Sequence, residues 1–267
     1  MFAEAGVPSP DGHWDWQEFA QTAQRLTRFD GEQATVKGFW EFGSWLWFFP
    51  WFVQGGVSFS DPRSVPLDSP EAIETMDFVS DLVHRQFVGW QGSVDAFLDR
   101  RSAMMHSGSW ELKYWVQTKT SMGVTAPPQG PAGRATLANT DIIAINRDTR
   151  YPGEAWELLK WFYSRDAQRS YLMKFELQPA RLSLGPAWIE SVRELYRAHD
   201  ASEIENLEVF LSNSAFAMPQ PFFADAQIIT QDIMPAINMI MEQRAPARST
   251  LSAMAAIATK KLQQVEW

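Results

Sequence analysis

The chain contains no cysteine. Disulfides, thiolate nucleophiles and cysteine-ligated metal centres are therefore excluded. Histidine is scarce, and His13, His84, His106 and His199 stand too far apart in sequence to show metal-ligand spacing. Positive charge is in deficit: 23 Lys and Arg face 32 Asp and Glu, for a net charge of −9. A nucleic-acid binder draws much of its affinity from a basic surface, so this balance argues against nucleic acid, and more weakly against anionic ligands and membrane surfaces. Long apolar runs are missing as well. The most apolar stretch, 38–53, is interrupted by Glu41 and Pro50 and is shorter than the ~20 residues a membrane-spanning helix needs. The opening Met1-Phe2-Ala3-Glu4-Ala5-Gly6 has neither the basic start nor the apolar stretch of a signal peptide. There is no phosphate-cradling glycine loop and no nucleophile elbow.

Tryptophan, by contrast, is abundant, with 13 copies in 267 residues. Most of these rings are expected to fill the core. Trp is also favoured where one face must be apolar and one edge polar, which raises the expectation of an aromatic ligand site. The remaining composition, 45% hydrophobic and 21% charged, is that of an ordinary globular protein long enough for one large domain or two smaller ones.

Along the chain, Asp15 and Glu18 have capping-box spacing ahead of a helical period at Trp16, Phe19, Ala20, Ala23 and Leu26. Residues 34–40 read as extended, and 44–54 as a short aromatic helix stopped by Gly55-Gly56. Ser69-Pro70-Glu71 opens another helix, with Ile73, Met76, Val79, Leu82 and Val83 on its buried stripe. A small helix surrounds Ala96-Phe97-Leu98. Strands are expected at 103–105, 122–126 and 142–145, and the proline- and glycine-rich stretch 127–133 reads as a linker. Residues 153–175 read as one or two helices carrying Trp156, Leu159, Trp161 and Phe162, and 249–264 as a further helix. Strands alternating with helices predict an α/β fold with a largely parallel sheet.

The segment Ser107-Gly108-Ser109-Trp110 follows the apolar run Ala103-Met104-Met105. Small residues at a strand end let a ligand approach the backbone, and the following helix turn supplies N–H donors. Trp110 adds a flat apolar face with a polar edge. This combination suits a neutral, hydroxyl-rich ligand, although a Trp after a strand is also a common core residue. Acid pairs such as Glu203 and Glu205 read as solvated helix surface, and nothing here demands catalysis.

Several blocks, in order, resemble the extracellular solute-binding proteins of carbohydrate ABC importers, the family of maltose-binding protein. They begin with 2–7, followed by Trp14-Asp15-Trp16-Gln17-Glu18-Phe19 and Leu26-Thr27. Next come Pro50-Trp51 with Gln54-Gly55-Gly56, and Ala103-Met104-Met105 leading into Gly108-Ser109-Trp110. The series continues from Gly123-Val124 through Arg134-Ala135-Thr136 and Ala144-Ile145 to the helix at Ala155-Trp156, closing at Pro179-Ala180-Arg181. The resemblance implies a two-lobe periplasmic-binding-protein type II fold, with one lobe nearly complete and the other truncated, because a block like 2–7 comes late in that family. The expected division is 1–138 in the second lobe, 139–200 in the first, and 201–267 returning to the second as C-terminal helices. The lobe holding 142–145 is expected to expose apolar surface around Trp156, Leu159 and Trp161.

The implied function is reversible capture of a sugar or oligosaccharide in an inter-lobe cleft and its delivery to permease subunits. No cofactor, metal or catalytic residue is expected, the protein is expected to be monomeric, and the full-length form extracytoplasmic. The rival reading is a glycoside-hydrolase-like enzyme with the aromatics as subsites. Trp110 is the leading ligand-binding candidate, with Ser107, Gly108 and Ser109 on the same wall. Trp45, Trp47 and Trp51 lie on one helix; one is expected to face the ligand and the others the core. Gln54 offers an amide, or is simply solvated at a helix end. Asn139, Thr140 and Asp141 fall where the resemblance brings the chain back to the other lobe, with Asp141 suited to accept two hydroxyls. Arg181 reaches either ligand or a surface acid, and Phe222 and Phe223 either edge the pocket or pack in the core.

Overall fold

The computed structural model describes residues 1–267 apart from Phe42, Lys119, Thr120, Glu176, Glu203 and Trp267, and apart from the side chains of Lys113, Tyr114, Thr118 and residues 171–175. At Asp15 the capping box is complete. Its carboxylate accepts from the amides of Gln17 and Glu18 while Glu18 reaches back to the Asp15 amide, and the helix Trp16–Leu26 buries Trp16, Phe19, Ala23 and Leu26. Ser69 caps the helix Pro70–His84 by accepting from Ala72 N, with proline at the first turn where no amide is missed. The helix Trp45–Gly55 ends at Gly56, whose φ of 110° a side chain would strain.

The sheet is built from β1 (Arg28–Asp30), β2 (Gln33–Trp40), β3 (Val88–Gly89) and β4 (Ser102–Met105). β2 is central. It pairs antiparallel with β1, parallel with β3 through Trp40↔Gly89, and parallel with β4 through Trp40↔Met105. A further parallel pair joins β5 (Thr136–Leu137) to β6 (Ala217–Met218). Helices Met234–Gln243 and Ala247–Gln263 add Ile237, Ile240, Leu251 and Leu262 to a core that already holds Phe19, Phe48, Phe49, Phe52 and Met76.

The chain divides into two compact units. Met1–His106, Ala126–Ala138 and Phe216–Trp267 form one; Ser107–Thr125 and Asn139–Ala215 form the other. The expected division into 1–138, 139–200 and 201–267 differs from these units in two stretches, since 107–125 and 201–215 pack with 139–200. Individual bonds show why. The Tyr196 hydroxyl donates to Leu112 O at 2.8 Å, and Val124 N donates to Glu205 O at 2.9 Å.

Three local expectations are corrected. The proline- and glycine-rich stretch 127–133 is not a free linker: Gln129 N donates to Trp14 O at 2.9 Å, and Ala132 N donates to Gln54 O at 2.8 Å. Residues 122–126 form no strand; Gly123 makes a single bridge to Glu205. Residues 142–145 are neither strand nor buried, and Ile142 is 81% exposed. A buried strand needs partners on its edges and faces, and among the described residues the second unit contains no strand. The neighbouring helix Pro152–Phe162 buries none of its residues, and Trp156, Leu158 and Trp161 are each more than half exposed.

Candidate functional site

In the first unit, the register Trp40↔Met105 sets the next residues, Glu41 and His106, side by side beyond the carboxyl ends of two parallel strands. This is where open α/β sheets place their ligands. Glu41 is 1% exposed and held by its backbone, donating to Gly89 O and accepting from Gly92 N, both at 2.9 Å. The Trp51 indole donates to Glu41 Oε2 at 3.1 Å, and His106 Nδ1 lies 3.2 Å from the same oxygen. That imidazole stacks on Trp47 (centroids 6.3 Å, 25°) and meets Phe39 edge-on (5.0 Å, 84°). Neither Glu41 nor His106 stood out in the sequence. The available signal was one charged and one titratable residue, each directly following the apolar end of a strand, Phe39-Trp40 and Met104-Met105.

Of the three tryptophans on the helix Trp45–Gly55, Trp47 is the partly exposed one. Trp45 is 3% exposed among Phe49, Phe52, Phe59 and Phe223. Trp51 is buried against Trp16 and Phe19. Gln54 is not solvated at the helix end. It is buried, accepts from the Trp16 indole at 2.7 Å and donates to Ala135 O at 2.8 Å, so its amide is spent on internal bonds. Phe223 is likewise buried, whereas Phe222 is exposed.

In the second unit, Gly108 and Ser109 are buried, while Ser107 and Trp110 are partly exposed. The Trp110 ring folds over Gly108 so closely that a Cβ there would stand 2.1 Å from Cζ3. Burial pushes the Glu111 carboxyl above its ordinary value, and a hydrogen bond with the Trp110 side chain opposes that shift. The edge of Trp110 is thus tied to a carboxylate that sequence reasoning passed over. Asn139, Thr140 and Asp141 are exposed and lie outside helix and strand. Arg181 is exposed and pairs with no acid among the described residues; its Nε and Nη2 donate to Tyr163 O at 2.9 and 2.7 Å. Ser107 to Trp110 and Asn139 to Asp141 fall in one unit, as does Arg181, whereas the Trp45–Gly55 helix and Phe222 belong to the other. Among the described residues, no group of His, Asp and Glu is arranged to hold a metal ion.

Many solved structures share this fold, among them three bacterial proteins. Mycobacterium tuberculosis UspC matches with a TM-score of 0.76 at 20% identity, covering 97% of this chain and 70% of its own. The cyclic α-maltosyl-1,6-maltose binding protein of Arthrobacter globiformis matches at 0.76 and 19%, covering 98% and 68%. The GacH receptor of Streptomyces glaucescens, known unliganded and in complex with acarbose, matches at 0.74 and 19%, covering 99% and 67%. The chain therefore spans about two thirds of each neighbour. The profile of the bacterial extracellular solute-binding proteins matches residues 1–193, and the chain belongs to that family.

Proposed function

We propose that this chain is the substrate-binding component of an ABC importer, taking up a neutral sugar or oligosaccharide reversibly and presenting it to permease subunits outside the cytoplasm. The observation that carries this reading is the family match over residues 1–193. Its chemistry fits: Trp47 and Trp110, both partly exposed, offer faces for the apolar side of a sugar ring, and the acidic balance suits an uncharged ligand. Trp110 carries the stacking in the second unit, with Ser107, Gly108 and Ser109 lining the wall beside it. Asn139, Thr140 and Asp141 are exposed and free to accept or donate to hydroxyls. The working form is a monomer in which ligand-stabilised closure is the signal read by the permease.

Family membership favours binding over the glycosidase alternative, since solute-binding proteins make and break no bond. The test is tryptophan fluorescence during titration with maltotetraose and a panel of neutral mono- and oligosaccharides, followed by long incubation. A saturable change with the sugar recovered intact is expected. Release of a shorter sugar would establish the enzyme instead, and the absence of any saturable change across the panel would reject carbohydrate capture.

A further inference from the structure

We infer that His106 is a ligand-contacting residue, accepting a sugar hydroxyl at Nε2, and that Glu41 is the positioning residue that fixes its tautomer. The inference rests on the proposed carbohydrate-binding role and adds to it a polar contact that composition and motifs did not indicate.

The two residues follow neighbouring parallel strands in register, so the backbone alone holds them together. Glu41 cannot swing away, because its amide and carbonyl are both tied to the 89–92 turn and its side chain is sealed from water. A buried carboxylate can only accept, so the ring nitrogen nearest to it, Nδ1 at 3.2 Å, carries the imidazole proton. The approach lies within ion-pair range but off the hydrogen-bond axis. Much of the ring's orientation therefore comes from Trp47, Trp51 and Phe39 packed around it.

With Nδ1 protonated, Nε2 is left with its lone pair. No hydrogen bond to a described residue engages Nε2, and the side chain is 23% exposed. An imidazole that was merely structural would satisfy both nitrogens or bury both. Here one faces a fixed internal carboxylate and the other lacks a partner among the described residues, next to the partly exposed ring of Trp47. Such an edge suits a hydroxyl donor whose ring carbon skeleton lies along the Trp47–His106 stack. A ligand anion is disfavoured, because Glu41 already supplies negative charge behind the imidazole.

The test uses the full chain, ¹⁵N-labelled at histidine, and maltotetraose as probe. Wild type should show the Nδ1–H tautomer at His106, and the Nε2 resonance should move on saturation. His106→Phe keeps the stack and removes both nitrogens; it should weaken binding roughly five- to ten-fold, the worth of about one hydrogen bond. Glu41→Gln should mix the tautomers and weaken binding by less, a spectroscopic change that loss of packing alone would not produce. Equal affinity in wild type and folded His106→Phe, or an unmoved Nε2 resonance in a saturated wild type, overturns the inference and leaves carbohydrate binding standing. If His106→Phe does not fold, the wild-type resonance decides alone. A wild type that binds no sugar of the panel overturns both.

Discussion

The Trp16 indole donates to Gln54 Oε1 at 2.7 Å, and this bond makes Gln54 a hub of the first unit, because Gln54 Nε2 donates onward to Ala135 O at 2.8 Å. Both partners are distant in sequence, and the amide that joins them is buried. Gln54→Leu preserves bulk but strands an indole N–H and a carbonyl. Stability is expected to fall by about 2 kcal/mol, since each buried orphan costs ~1–3 kcal/mol before relaxation. Denaturant unfolding checks this. A wild-type midpoint combined with lost sugar affinity would move Gln54 back to the ligand surface.

Gly108→Ala places a methyl where the Trp110 ring lies. The ring must then leave its position, so this variant should mimic Trp110→Ala and lower sugar affinity roughly ten- to hundred-fold, with the fold retained. Calorimetry and thermal melting on both variants provide the measurement. Unchanged affinity with a collapsed melting temperature would identify Trp110 as a core residue.

Glu4 faces Arg100 and Arg28, whose hydrogen bonds hold its carboxyl down to about 2 from the ordinary 4.5. A depressed carboxylate stabilises the fold above its unfolded value and loses that contribution as pH falls through the folded one. The difference in melting temperature between wild type and Glu4→Gln should therefore be full above pH ~4.5 and vanish toward pH ~2. It should also shrink in high salt, because the group is exposed. A difference that stays constant down to pH ~2 would show that the ion pairs contribute nothing.

Trp156, Leu158 and Trp161 on the helix Pro152–Phe162 stand in water. Replacing all three with Gln or Lys should change stability by less than about 0.5 kcal/mol per site and should reduce self-association of the expressed chain. Amides at 142–145, outside helix and strand, should exchange within seconds, while those of Ser102–Met105, paired in β4, stay protected. Light scattering and deuterium exchange report the two outcomes. A large loss of stability, or protection at 142–145, would mean that this face is packed.

Local chemistry was legible in the sequence wherever it acts over a few residues. Asp15 and Glu18 announced a capping box, Ser69-Pro70 a helix start, and Gly55-Gly56 a helix stop, and each is observed. Their partners lie within one turn, so spacing along the chain is also spacing in space. The small residues before Trp110 were read as room for a ligand, whereas the ring that lies over Gly108 is that of Trp110 itself.

Tertiary structure decided everything that depends on which neighbours arrive. An apolar run such as Ile142-Ile143-Ala144-Ile145 is compatible with a buried strand, but strand formation requires partner edges that the sequence of the run cannot specify, and here it remains in water. Trp45, Trp47 and Trp51 are the same residue on one helix, yet packing buries two of them and leaves the third beside His106. Glu41 and His106 are 65 positions apart, and strand register alone makes them a pair. Composition, with its net charge of −9, argued against nucleic acid and more weakly against anionic ligands. The side chains that can meet a ligand were selected by burial and register, which arise only when distant segments pack.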